Sequence, residues 1–474
     1  MTGPVMASEA SLDELAARVR EDLLLLGYPS RSGVLSRRSQ AGDPILDVLI
    51  VGAGQSGLAL AFGLMRERID NLLVVDENPL DRAGPWLNFA RMRTLRTPKH
   101  LTGPDLGVPS LTPRAWYEAQ FGKHSWDALG LLPKEAWAHY LSWFRRTLEI
   151  PVRPETKVGA LRWDTAERAF RVPCRDAGGS RELLARRVVL ATGIEGSGRW
   201  EVPAQVTHGL PTSHYAHTSQ PIDFDALRGK RVAVWGAGAS AFDNAATALE
   251  LGAREARMFF RRSELVSVNP YRWAEFVGFL KHFGDLPDDY KWRFISQIMR
   301  MGQLPPRDTF LRAQQWPSFH LHPGSELQRI ALRGDAIVLE TQHGAFESDF
   351  LIVGTGFVTD LGLRDELREL APSIARWADR FTPSASDANA ELSRHPYLGP
   401  NFEFCEREPG AAPHLAYLYN YTFGCLLSLG FGGASISGMK YSVPRLVAGI
   451  TRSFFLEDKE AHFESLCSYA EKEF

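Results

Sequence analysis

Two short glycine turns, each set between an apolar strand and a helix, constrain this chain more than any other feature. The first is Gly52-Ala53-Gly54-Gln55-Ser56-Gly57, entered from the apolar run 45–51 and left through the helical stretch 58–64. In such a unit Gly52 permits the turn, Gly54 leaves backbone N–H groups open to a pyrophosphate, and Gly57 lets the helix sit close to the strand. A second apolar run, 72–75, ends in Asp76-Glu77, and an acid at that place can hold the hydroxyls of an adenosine ribose.

The second turn is Gly236-Ala237-Gly238-Ala239-Ser240-Ala241, preceded by the strand 231–235 and followed by the Ala-rich helix 243–251. The next strand, 256–260, ends in Arg261-Arg262-Ser263 instead of an acid. That suits the 2'-phosphate of NADPH better than the bare ribose of NADH; the alternative is a pair of solvated strand-end arginines.

Two further apolar strands end in small-Thr-Gly turns, Ala191-Thr192-Gly193 and Gly354-Thr355-Gly356, on either side of the second glycine motif. The simplest account is a chain that leaves a first domain, builds a second and returns. The expected fold is therefore α/β, with two Rossmann-like domains, the second inserted into a discontinuous first. The segments are an N-terminal helix and linker (1–44), the leading stretch of the first domain (45–200), the inserted domain (201–348) and the returning stretch of the first domain with a C-terminal helix (349–474). Within the N-terminal segment the apolar spacing predicts a helix over 11–27, capped by Ser11, that packs on the body or on a second copy. The stretch 269–322 is crowded with aromatics and too long for a simple crossover; it reads as a wall of the substrate pocket, a helical subdomain with its own core, or a dimer contact.

Composition narrows the classes. Of 474 residues, 54 are Lys or Arg and 56 are Asp or Glu, a net charge of -2, so no electrostatic pull toward nucleic acid or an anionic membrane is expected. Apolar runs fall short of the ~20 residues that cross a bilayer, and no secretory start is legible, so a cytoplasmic protein is expected. The four cysteines, Cys174, Cys405, Cys425 and Cys467, never approach one another in sequence. That spacing excludes a local zinc knuckle and the dithiol of a disulfide reductase. His320-Leu321-His322 has no nearby third ligand, so no metal site is expected.

Taken together, the chain resembles the class B flavin-dependent monooxygenases over residues 45–460. Gly84-Pro85-Trp86 is similar to that family's Gly-x-Trp, and the Pro133 to Leu141 stretch to its Pro-x-x-x-x-x-x-Tyr-Leu helix. The resemblance implies FAD on Gly52, Gly54, Gln55, Ser56, Gly57, Asp76, Glu77 and Trp86, with Thr192, Gly193, Thr355 and Gly356 at the crossing points. It implies NADPH on Gly236, Gly238, Ala239, Ser240, Ala241, Arg261 and Arg262. The activity implied is insertion of one oxygen atom from molecular oxygen into a small molecule through a flavin C4a-(hydro)peroxide, with heteroatom oxygenation such as N-hydroxylation ahead of Baeyer-Villiger or carbon oxygenation. The family's Phe-x-Gly-x-x-x-His linker survives here only as His217, with Pro211 and Ser213 at the other two positions. Arg96, in Thr94-Leu95-Arg96-Thr97-Pro98-Lys99, stands near the implied flavin and either faces the ring or forms a surface ion pair. A helix N-terminus suits the pyrimidine end of a flavin, and Ser435, before a helix expected over 443–455 with Pro444 near its start, is the candidate. An NADPH oxidase or reductase, and a flavin-binding protein without turnover, are the rival classes. The sequence leaves room for a homo-oligomer.

Overall fold

The computed structural model describes residues 9–101 and 103–474. Helix α1 (Glu9–Leu25) buries Leu15 and Val19 against the first domain. It starts before Ser11, so this residue does not cap it; instead the Ser11 hydroxyl donates to the Ala119 carbonyl at 2.8 Å. Asp22, farther along α1, accepts from the Ser110 hydroxyl at 2.6 Å. The helix is thus a brace on the body.

The first sheet is built around β1 (Pro44–Val51), whose last five residues are all buried and whose last four, 48–51, form a continuous apolar run rather than an alternation. The Gly52 to Gly57 turn follows, then α2 (Gln55–Arg66), then β2 (Leu72–Val75). Beyond α3 (Lys134–Thr147) come β3 (Val152–Arg153), β4 (Ala169–Asp176) and β5 (Gly179–Leu190). The parallel core runs β3-β2-β1-β5, with Val51 level with both Val75 and Leu190. The first half of β5 forms an antiparallel hairpin with β4. Leu418–Asn420, from the far end of the chain, lies parallel to the second half of β5 and completes the discontinuous domain.

The inserted domain holds a five-stranded parallel sheet. Its strands are β6 (Tyr215–His217), β7 (Arg231–Trp235), β8 (Glu255–Phe259), β9 (Phe319–His322) and β10 (Phe350–Val353), in the order β6-β10-β7-β8-β9. Helix α4 (Ala239–Glu250) follows the second glycine turn, and α5 (Arg307–Gln314) packs beside it. Because β10 belongs to this sheet, the chain re-enters the first domain after Val353 and not at 349. The two crossings pair with each other: Gly198–Trp200 runs antiparallel to Phe357–Thr359. A Cβ at Gly198 would stand 1.8 Å from the Val358 carbonyl oxygen, so this ribbon closes only with glycine there.

The aromatic stretch folds as short helices, Pro270–Trp273, Val277–His282 and Asp288–Met301, leading to α5. Phe279, Phe283 and Trp292 share a core with Trp377, Leu426 and Phe431 of the returning first domain. Trp273, Phe276 and Tyr290 stay exposed. The segment is therefore both a helical core and a wall.

Helix α6 (Ile436–Glu457) begins seven residues before the expected 443, and Pro444 lies inside it. Gly438 makes the early start feasible: a Cβ there would fall 1.4 Å from the Phe431 carbonyl oxygen. At its other end α6 is anchored by a buried charge cluster. Arg186 and Arg187 of β5, both fully buried, reach Glu457 at 3.1 and 2.8 Å, and Arg186 also reaches Asp458 at 2.9 Å and Asp47 at 3.2 Å. Burial alone would raise the Glu457 carboxyl, but Arg187, Arg186 and Arg37 together hold it down to about 2. Removing one partner of such a cluster strands a buried guanidinium. Glu457→Ala is expected to cost about 3–5 kcal/mol of stability in equilibrium urea unfolding. In the wild type this contribution is present above the ordinary glutamate value of 4.5 and is lost as pH falls toward 2.

Candidate active site

The glycines of the first turn divide the work between fold and ligand. Gly52, at φ +110°, has the Ala191 carbonyl oxygen 2.5 Å from where a Cβ would be, and at Gly57 a Cβ would meet the Gly52 carbonyl oxygen at 1.9 Å. Both positions are closed to any side chain by the protein itself. At Gly54 the nearest atom to a Cβ is Gly84 Cα at 3.9 Å, so nothing in the protein demands glycine there. The open space lies over the N-terminus of α2, whose cap has no side-chain partner. That is where a phosphate is stabilised by unsatisfied N–H groups and the helix dipole.

Asp76, at the end of β2, is buried, and both carboxylate oxygens are engaged. Oδ2 accepts from the Ala53 N–H at 2.7 Å, which locks the turn, and Oδ1 accepts from the Asn78 N–H at 2.8 Å. Glu77 beside it is exposed to the same cleft. Gln55 accepts from the Trp137 indole at 3.1 Å, and the Ser56 hydroxyl donates to the Gly433 carbonyl, tying α2 to the approach of α6. The Trp86 indole N–H and the Thr192 hydroxyl line the cleft, buried and without a protein partner. Unsatisfied polar atoms facing a cavity are what a bound polar ligand would complete.

The second turn repeats the arrangement. Gly236 (φ +133°) has the Gly354 carbonyl oxygen 2.3 Å from a Cβ position, whereas Gly238 has nothing within 4 Å. Ala241 occupies the place of the third glycine because Gly354 faces it: a Cβ on Gly354 would come within 2.9 Å of Ala241 Cβ. Both turns therefore keep a phosphate-sized opening at a helix N-terminus and fit a dinucleotide.

One cleft of about 2140 Å3 joins them. Its lining includes Gly52, Gly54, Gln55, Ser56, Asp76, Glu77, Trp86, Thr192 and Gly193 from the first site. From the second come Gly238, Ala239, Ser240 and Ala241, with Gly356 and Ser435 at the crossing and at the start of α6. Thr355 is turned away, its hydroxyl donating to the Glu201 carbonyl at 2.7 Å. Arg261 and Arg262 stand past the end of β8, outside the lining, and Arg262 donates to the Arg300 carbonyl at 3.1 Å. His217 is buried behind the lining, which its neighbours Thr218 and Ser219 reach. Its Nδ1 lies 2.8 Å from the Ser219 hydroxyl, and burial pushes the imidazole down to about 4, so it is neutral.

Arg96 forms an ion pair, within the cleft and not on the open surface. Its guanidinium lines the cleft and binds Asp243 of α4 at 2.9 Å, across the boundary between domains. Asp243 is buried, and its other oxygen accepts from the Thr309 hydroxyl at 2.9 Å and from Arg312 at 3.4 Å, both on α5. Two turns along α4, Glu250 takes a two-pronged contact from Arg312 (2.9 and 2.9 Å) and another from Arg93 (2.9 Å). Asp243, Glu250, Arg93 and Arg312 escape a reading of the sequence for motifs; the seven-residue spacing of the two acids on one helix face is their only trace.

Residues 46–278 match the family described as pyridine nucleotide-disulphide oxidoreductase. The four cysteines are nevertheless unpaired, and of them only Cys425 reaches the cleft. The chain is similar to the FAD-dependent urate hydroxylase of Xanthomonas campestris pv. campestris, with 44% identity over 464 residues, 98% of this chain and 97% of that one. In fold it is similar to the ornithine N-hydroxylase of Kutzneria sp. 744 (TM-score 0.67, 16% identity, 86% of this chain and 100% of that chain). It is likewise similar to the L-lysine 6-monooxygenase of Pseudomonas syringae (TM-score 0.64, 17% identity, 86% and 99%).

The contrast between Gly54 and Gly57 gives a direct check. Gly54→Val is expected to yield a folded protein that purifies without flavin colour, since its side chain fills only the open cradle. Gly57→Val, which collides with the Gly52 carbonyl, is expected to abolish soluble expression. Normal flavin absorbance in Gly54→Val would remove the cradle assignment.

Proposed function

The chain belongs to the class B flavin-dependent monooxygenases, and we propose that it is a FAD- and NADPH-dependent hydroxylase of urate. The observation that carries this reading is the single cleft in which both glycine turns and the insertion wall share one space, in a chain 44% identical to a urate hydroxylase along its length. When bound, the two cofactors supply hydride transfer and activation of molecular oxygen, one atom of which enters the substrate.

The chain's own residues bind, orient and exclude water. Gly52, Gly54 and the start of α2 receive the FAD pyrophosphate, with Glu77 and the turn-locking Asp76 at its ribose end. Thr192 and the Trp86 indole have unspent donors for the flavin end, where Ser435 opens α6. Gly236, Gly238, Ala239 and Ser240 receive the pyrophosphate of NADPH. Arg261 and Arg262, at the carboxyl end of β8, take its 2'-phosphate, the position where an arginine replaces the acid that NAD sites use. Tyr271 stacked on Phe431 (5.3 Å between rings) and Phe357 edge-on to Phe423 (5.2 Å) give the space between the sites aromatic walls that keep water from the reacting atoms. Among the described residues no helix is long and apolar enough to cross a membrane, and the four unpaired cysteines support a reducing compartment such as the cytoplasm.

Purified protein loaded with FAD is expected to oxidise NADPH at least about tenfold faster with urate than without, consuming oxygen and urate one for one. Ornithine and lysine are expected to be poorer substrates by about 10^3 or more in kcat/KM. Preference for either amine over urate would overturn the substrate assignment. Arg261→Ala combined with Arg262→Ala is expected to raise KM for NADPH about tenfold while leaving that for NADH near its wild-type value; an unchanged cofactor preference would remove these residues from the site.

A further inference from the structure

The wall of the cleft that faces the start of α6 comes from the insertion, and its polar groups have no assignment in either nucleotide site. Asn269 caps the short helix Pro270–Trp273, its side chain accepting from the backbone N–H groups of Tyr271 at 3.1 Å and Arg272 at 3.4 Å. The turn continues through Glu275, whose N–H donates to the Arg272 carbonyl at 3.3 Å. On either side of Arg272 an aromatic ring is pinned: Tyr271 on Phe431, and Trp273 on Phe294 (6.0 Å) and Phe279 (5.7 Å). Arg272 and Glu275 are thus presented by a backbone held in place at three points, and both line the cleft with Ser435 and Ser437.

Among the described residues neither Arg272 nor Glu275 takes part in an ion pair. Arg96 and Arg364, also in the lining, are committed to Asp243 and Glu366. Among the described residues Arg272 has no carboxylate within ion-pair distance; it influences Glu275 only through space. Glu275 is half-buried, and burial raises its carboxyl against the opposing pull of Arg272, His100 and the Ser437 hydroxyl. A guanidinium and a carboxyl three residues apart, on one wall and not paired with each other, leave a gap that a ligand with adjacent acceptors and donors can fill.

Resting on the reading of the protein as a urate hydroxylase, we propose that Arg272 and Glu275 are the residues that select the substrate, by gripping an amide edge of a planar heterocycle. Urate carries ring N–H donors next to carbonyl acceptors around its rim. The Arg272 fork donates to a carbonyl or enolate oxygen, and the Glu275 carboxylate accepts the neighbouring ring N–H. The Tyr271 and Phe431 rings bound the same space. A site built to hydrogen-bond its substrate rejects analogues lacking the partner atoms far more strongly than an apolar pocket rejects a missing methylene.

The test is equilibrium titration of urate and a set of mono-N-methylurates into the oxidised, FAD-loaded full-length protein, read by perturbation of flavin absorbance without turnover. Arg272→Ala and Glu275→Gln are each expected to raise the urate Kd at least about tenfold, with Arg272→Lys recovering some of the loss. FAD content and NADP+ affinity should stay unchanged. Wild type is expected to reject at least one N-methyl isomer, and Glu275→Ala to lose that discrimination. Variants that bind urate within twofold of wild type, that keep the isomer preference, or that lose NADP+ or FAD together with urate overturn the pair alone. A wild type that binds no urate but binds an amine overturns the substrate reading and the pair with it.

Discussion

Asp243 ties the two nucleotide domains together at a seam beside the cleft. Its carboxylate is buried, and burial pushes it up, a cost met by three donors on two elements: Arg96 from the first domain, and Thr309 and Arg312 from α5. A buried carboxylate survives only when its lone pairs are so engaged, and stripping one partner from such a group costs about 3–5 kcal/mol. Glu250 repeats the device two turns farther along α4, with Arg93 and Arg312. These contacts act with the crossing ribbon of Gly198–Trp200 on Phe357–Thr359, which joins the domains through backbone. The ribbon and the ion pairs are separate ties, one through backbone and the other through side chains.

That seam also separates what was legible in the sequence from what was not. The glycine turns are local: six residues determine the backbone, and the atoms that would collide with a Cβ at Gly52 and Gly57 belong to residues whose place follows from the strand-turn-helix pattern. The discontinuity of the first domain was legible for the same reason, because each crossing ends a strand in a small-Thr-Gly turn. Arg96 and Asp243 are 147 residues apart, and no spacing rule links them. The true start of α6 was hidden because its first turn packs Gly438 on the Phe431 carbonyl, a tertiary contact that overrides the breaking tendency of Pro444. Ser11 offered a capping sequence but found the Ala119 carbonyl within reach once α1 docked. Thr355 shares its sequence setting with Thr192, yet the crossing ribbon turns one hydroxyl to Glu201 and leaves the other facing the cleft.

The division of labour across the chain follows from these constraints. Residues at the two glycine turns answer to the shape of a dinucleotide, which is the same whatever is oxygenated, and so they can be matched to a family from sequence. The insertion answers to the cleft and to its own core at once. Phe279, Phe283 and Trp292 pack it onto the returning first domain, where size and apolarity are all that is required. Tyr271, Arg272 and Glu275 face the cleft, where chemistry is required.

A segment under both demands can change its cleft-facing residues without disturbing Phe279, Phe283 and Trp292, which lie outside the cleft lining. On the proposed assignment, that is how a fold shared with ornithine and lysine hydroxylases at 16–17% identity presents a polar edge suited to a planar heterocycle. Selectivity then depends on how rigidly the wall is held. Asn269 capping the helix, with Tyr271 and Trp273 pinned on either side, fixes the backbone from which Arg272 extends.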